Sequence, residues 1–138
     1  MSKKLTIGKI LGIIFCIFSA VCAAALICRN IYLGGQVGFL NKYYAALLHD
    51  DFEGYKACFS EKADVTEEWF AKDKDKILIL QDNKDVHAKI KFLRRERYDW
   101  GDYEVYHNLT VYNDNESIEK ERLCITVYRE NGKWIIRT

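Results

Sequence analysis

The 138-residue chain contains no proline, which agrees with a continuous sheet whose edges need no interruption. It also lacks a dominant charge. Twenty-one basic and twenty acidic residues leave a formal net charge of +1, which speaks against a dedicated nucleic-acid binder. No CxxC or HxxxH pair occurs, so closely spaced metal ligands are missing and no metal site is expected. The nucleophile elbow, the phosphate-binding loop and the zinc-helix signature are absent as well. These gaps point away from a cofactor enzyme, and no cofactor is expected. A composition of 49% hydrophobic and 30% charged residues excludes a disordered or low-complexity chain. Its length suits one globular domain.

The charge balance hides a segregation. Residues 1–29 carry Lys3, Lys4, Lys9 and Arg29 and no acid, so the remainder holds 17 basic and 20 acidic residues, a net −3. Within this basic stretch, Ile10 to Cys28 form 19 uncharged residues. As a helix they span roughly 28 Å, close to the ~30 Å hydrocarbon core of a bilayer. A helix apolar on every face is a membrane helix or a signal sequence. Ala23-Ala24-Ala25 offers a cleavage site, with Ile10–Cys22 as the apolar core. The apolar run, however, continues through Leu26, Ile27 and Cys28 to a charged end at Arg29, so an uncleaved anchor is expected. The residues before Cys16, Cys22 and Cys28 lack the small side chain that precedes a lipidated cysteine. Positive charge gathers ahead of the helix, which places the N-terminus in the cytoplasm and residues 30–138 outside.

Three divisions follow: 1–29 as basic tip and anchor, 30–37 as a connector containing Gly34-Gly35, and 38–138 as an extracytoplasmic domain. Phe39, Leu40, Tyr43, Tyr44, Leu47 and Leu48 recur at helical spacing from Gly38 onward. Asp50 with Glu53, and Asp64 with Glu67, resemble capping boxes for two further helices. The second presents Phe52, Tyr55 and Phe59. The third presents Val65, Trp69, Phe70, Ile77 and Leu80, with Lys76–Leu80 ambiguous between helix and strand.

After Asp82-Asn83 the period becomes two. Strands are expected over 86–98, 103–113 and 117–130, followed by a hairpin at Asn131-Gly132 that sets Glu130 opposite Lys133, Arg129 opposite Trp134 and Val127 opposite Ile136. Helices followed by about four antiparallel strands make an α+β fold. One sheet face carries Ile90, Phe92, Val105, His107, Leu109, Val111, Leu123, Ile125, Val127, Trp134 and Ile136. The other carries Lys89, Lys91, Arg95, Tyr106, Tyr112, Cys124, Thr126, Tyr128 and Ile135. Cys58 on a helix and Cys124 on the outer face would have to meet through the sheet, so a disulfide between them is not expected.

Phe39-Leu40-Asn41-Lys42-Tyr43-Tyr44-Ala45-Ala46-Leu47-Leu48-His49-Asp50-Asp51-Phe52 and the closing Gly132-Lys133-Trp134-Ile135-Ile136 resemble the opening helix and final strand of the nuclear-transport-factor-two-like, or cystatin-like, superfamily. The resemblance covers about residues 38–138 and rests on architecture and these two stretches. It implies a bent sheet wrapped around helices as a cone, in a small membrane-anchored bacterial member. Anchored members include subunits of conjugation and type IV secretion machines. Because this fold hosts enzymes and adaptors alike, it does not assign an activity.

His107 lies on the core-facing side of its strand, where it is either a hydrogen-bonded core histidine or the general base of a pocket enzyme or small-ligand binder. His49 and His87 sit on separate elements and share no ligand spacing with it. Lys89, Lys91, Arg94, Arg95 and Arg97 read as a solvated strand face, with contact to anionic lipid or cell-wall polymer as the functional counterpart. Tyr106, Tyr112 and Tyr128 are expected to form one binding patch on the outer face. The reading is therefore a single-pass, membrane-anchored extracytoplasmic binding or scaffold domain without catalysis. It holds the bilayer through residues 10–28 and a protein partner, or itself, through the outer sheet face.

Overall fold

The computed structural model describes residues 2–138, with the side chains of residues 2–5 and 29–34 outside the described residues. The side chains of Lys3, Lys4 and Arg29, on which the orientation rests, therefore lie outside them. The chain divides into two compact units, Met1–Gly34 and Gly35–Thr138.

In the first unit, Thr6–Cys28 is long and apolar enough to cross a membrane or to serve as a signal sequence. Its large side chains, such as Leu11, Phe15 and Phe18, are all exposed. The helix to which it belongs, α1, runs Ser2–Leu48. The segment 30–37, expected as a connector, is therefore helical. Two glycines lower helix propensity by about 1 kcal/mol each, which is too little to end a helix by itself.

In the second unit, α1 supplies Leu40, Tyr43, Tyr44 and Leu47, each under one-tenth exposed. It ends where Asp50 adopts a left-handed φ of 57°, the conformation that turns a chain out of a helix. Asp51, rather than Asp50, caps α2 (Phe52–Lys56) and accepts from Gly54 N at 2.9 Å. Thr66, rather than Asp64, caps α3 (Glu67–Ile77) and accepts from Trp69 N. In both cases the capping oxygen accepts from the backbone N–H three residues farther on.

The sheet has four antiparallel strands in the order β1 (His87–Arg97), β2 (Tyr103–Tyr112), β3 (Ser117–Glu130) and β4 (Lys133–Ile136). The final hairpin has the expected register of Glu130 with Lys133, Arg129 with Trp134 and Val127 with Ile136. Asn131 and Gly132 both take positive φ, as a type I′ turn requires. The outer edge of β4 is covered: Phe59 bridges Ile136, and Ile136 N donates to Cys58 O at 2.8 Å. This protects an otherwise open strand edge and leaves Ile135 on the outer face only 6% exposed.

Two bulges break the simple alternation. Between Phe92 and Arg94 the β1 register shifts against β2, leaving Leu93 as the extra residue. Arg95 then pairs with Val105 on the core side, which corrects its expected place on the outer face. Between His107 and Leu109 the shift lies in β3 around Glu121 and Arg122, and Arg122 takes φ 56°. Lys120 consequently pairs with Leu109, and its ammonium reaches Lys76 O. Bulges bend and twist the strand that carries them.

The aromatic faces of the helices close on the core side of the sheet. Tyr55, Phe59, Phe70 and Ile77 pack with Val105, Leu109, Val111 and Val127. Trp69, expected on the apolar side of α3, is instead 41% exposed.

Candidate functional site

His107 is fully buried. Its Nε2 is 2.7 Å from Tyr44 Oη and its Nδ1 is 3.2 Å from Val105 O. A carbonyl oxygen only accepts, so Nδ1 carries the proton and Tyr44 donates to Nε2. Both ring nitrogens are thus engaged and no face opens to solvent. Of the two expectations for this residue, the geometry is that of the hydrogen-bonded core histidine. Burial pushes its pKa below the ordinary value, outweighing the opposing bond to Val105.

Stability follows from that shift. The unfolded chain binds a proton near pH ~6.5, whereas the folded protein resists it until lower pH. The unfolded state therefore holds more protons in this interval, and stability falls as pH drops below ~6.5. We expect the urea midpoint to decline through this window. The double variant Tyr44→Phe, His107→Leu, which replaces both partners by apolar groups, should lose that part of the slope. An unchanged slope would show that His107 is not its source.

Asp73 on α3 anchors a second cluster. It accepts from Tyr55 Oη at 2.7 Å, Tyr43 Oη at 3.1 Å and Lys76 Nζ at 2.9 Å. Burial alone would raise its pKa, yet these bonds hold it below the usual carboxylate range. Burial is also the main reason that both phenols are pushed upward, with the nearby carboxylate adding to it. The cluster lines a cleft of about 390 Å³ that also meets Trp69, Lys72 and Arg137. A carboxylate held ionised by three donors and two phenols held protonated are poorly matched to proton transfer near neutral pH. Sequence reading missed Asp73 because it looks like one more solvated helix charge.

The three sequence-nominated tyrosines do not make one patch. Tyr103 pairs with Val127, so Tyr128 sits beside the start of β2. Tyr112 lies nine residues farther along β2, which is roughly 30 Å of strand. There it meets His87, with ring centres 5.6 Å apart. Tyr106 and Tyr128 remain near the other end of the face. The expectation failed because face and position along a strand are independent, and alternation reports only the face.

At that other end the structure gathers groups from several elements. Trp100, 70% exposed, lies flat on Tyr98 with ring centres 4.6 Å apart and planes 7° from parallel. Beneath them is a recess of about 430 Å³ lined by Tyr98, Trp100, Asp102, Glu104, Thr126 and Arg137. Its charged groups already have partners. Glu104 accepts from Tyr106 Oη at 2.6 Å, and the bonds from Tyr106 and Tyr98 hold its pKa below normal. Arg94 pairs with Glu96 and covers the Tyr106 ring at 4.3 Å. Asp102, 2% exposed, accepts from Arg137 Nη2 at 2.8 Å and also pairs with its Nε. Arg137 in turn covers the Tyr128 ring at 4.6 Å. A stacked aromatic pair ringed by pre-bonded polar groups has fewer groups left to order on binding. In the sequence, Asp99-Trp100-Gly101-Asp102 read only as turn chemistry. Its one available signal was a tryptophan in a polar turn.

Cys58 is buried, Cys124 is exposed, and both are free. Burial pushes the Cys58 thiol up to about 11, leaving it inert at neutral pH. Among the described residues, no group of three His, Cys, Asp or Glu side chains is placed to hold a metal ion. No protein-family model matches the chain, and no curated protein matches it.

Proposed function

We propose that this protein is a single-pass membrane-anchored, extracytoplasmic binding or scaffold domain of the nuclear-transport-factor-two-like, cystatin-like kind. Its N-terminus is cytoplasmic, and it serves as a subunit of a cell-envelope assembly such as a conjugation or secretion machine. The apolar Thr6–Cys28 segment supports the anchor. The order of three helices and four antiparallel strands, with two bulges to bend the sheet, supports the cone. A binding role is preferred to catalysis because His107, the general base the sequence offers, is enclosed and bonded at both nitrogens.

The observation that carries the binding role is Trp100, 70% exposed and stacked on Tyr98 at the outer face. Tryptophans in such settings dominate protein–protein binding energy. The binding surface is thus the Trp100 end of the outer face, with Tyr106 and Tyr128 in its support and Tyr112 apart from it.

A photo-crosslinking residue in place of Trp100, in the full chain in its native membrane, should give a discrete adduct with a partner or a second copy. The same residue in place of Tyr112 should give several-fold less. Equal yields at the two positions would remove the outer-face reading.

A further inference from the structure

The core side of the sheet has a distinct rim at the end where β1 finishes and β2 begins. Beyond its bulge, β1 directs Arg95 and Arg97 to this side, opposite Val105 and Tyr103. Arg129 and Trp134 pair here across β3 and β4. The guanidiniums of Arg95 and Arg97 lie 5.3 and 5.8 Å from the Tyr103 ring centre, and that of Arg129 lies 4.8 Å from the Trp134 ring. Tyr103 and Trp134 meet edge to face at 5.6 Å. Three cations therefore converge on two touching rings.

The neighbouring strand carboxylates are engaged with groups other than Arg97 and Arg129. Glu96 holds Arg94, Glu104 holds Tyr106, and Glu130 accepts from Ser60. A second observation marks the same place. Gln36, 1% exposed, receives Arg95 Nη1 on its Oε1 at 3.4 Å, and its buried Nε2 has no hydrogen-bond partner. An orphaned buried amide donor is destabilising and is relieved by an acceptor oxygen.

We propose that this rim is a binding site for the phosphate of an anionic phospholipid headgroup. The inference rests on the anchored reading. Gln36 follows Cys28, the last residue of the apolar segment, by eight positions. Even fully extended, those eight residues reach no more than about 29 Å, so an anchored Cys28 keeps Gln36 within that distance of it. Guanidiniums bind phosphate oxygens through paired N–H donors, and tyrosine and tryptophan favour the headgroup level. The bulge at Leu93 is what creates the site. Without it Arg95 and Arg97 would point to the outer face.

The test uses the full chain in lipid nanodiscs, with Trp69→Phe and Trp100→Phe so that Trp134 is the reporting tryptophan. Discs of neutral phosphatidylcholine are compared with discs containing roughly one-third phosphatidylglycerol, each doped with lipid brominated close to the headgroup. Quenching of Trp134 should be at least about twofold greater in the anionic discs and fall to the neutral level in high salt, where charge is screened. Arg97→Gln with Arg129→Gln should abolish the difference while circular dichroism stays unchanged. Equal quenching in the two lipids, or a difference that survives the double substitution, overturns the site. Retention in the neutral discs is scored separately. A chain retained there without an anionic effect refutes the headgroup site alone, whereas a chain not retained refutes the anchor and the site together.

Discussion

Phe18→Arg combined with Val21→Arg is expected to move the protein out of the membrane-integrated fraction. Both positions lie inside Thr6–Cys28, and both side chains are more than 60% exposed in a segment that buries none of its window. Within the described residues no protein core shelters them. Each arginine near the centre of a spanning helix costs about 2.5–3.5 kcal/mol of insertion free energy. Two of them outweigh the margin of an ordinary span. The measurement is the fraction resistant to alkaline extraction, with Ser19→Leu as a control expected to remain integrated. N-terminal sequencing of the wild-type membrane protein separates anchor from signal. An intact start supports the anchor, and a mature chain beginning near Leu26 would replace it by a cleaved signal. Wild-type-like retention of the double variant would mean that the apolar segment does not hold the protein in the bilayer.

The second large effect lies in the core. Tyr55 has no exposed surface. Its ring lies 4.9 Å from that of Phe59, 5.2 Å from Phe70 and 5.7 Å from Tyr43, centre to centre. Its hydroxyl donates to Asp73 at 2.7 Å. Tyr55→Ala removes the whole aromatic contact and leaves a cavity, which typically costs ~3–5 kcal/mol. That is a large part of the stability of a domain this size. Tyr55→Phe keeps the ring and removes one bond to a carboxylate, for about 1.5–3 kcal/mol. Asp73 retains Tyr43 and Lys76 as partners, which argues for the lower end. Urea unfolding of the full chain in detergent micelles should rank the two variants in that order. If Tyr55→Phe were as damaging as Tyr55→Ala, the hydrogen bond rather than the packing would hold α2 and α3 in place.

Several features were legible from residue order because their causes are local. An uncharged run of nineteen residues marks a membrane span or a signal sequence whatever follows it, since a helix with no polar face has nothing to present to water. The Asn131-Gly132 turn determines its own register, because both positions need positive φ and two residues leave one way to pair the strands. The burial of Val105, His107, Leu109 and Val111 came from alternation along a single strand. The free state of Cys58 and Cys124 fits the same reasoning from opposite faces of a sheet.

Other features depended on partners distant in sequence. Nothing in Phe92-Leu93-Arg94 announces a bulge. The extra residue shows only in the pairing of β1 with β2, and it turned Arg95 from the outer face to the core side. His107 could have been a base or a core residue from its strand position alone, and Tyr44, sixty-three residues away, decided the matter. Tyr112 and Tyr128 share a face but sit at opposite ends of it, because alternation carries a side chain's direction and not its place along the strand. Asp73 and Trp100 went unnoticed because a helix carboxylate and a turn tryptophan have no local mark of what packs beside them. Short-range chemistry thus settled the apolar segment, the turns and the inward face. The setting of Thr126 and Arg137 beside Trp100, and the convergence of three arginines on Tyr103 and Trp134, required the folded chain to bring separate strands and turns together.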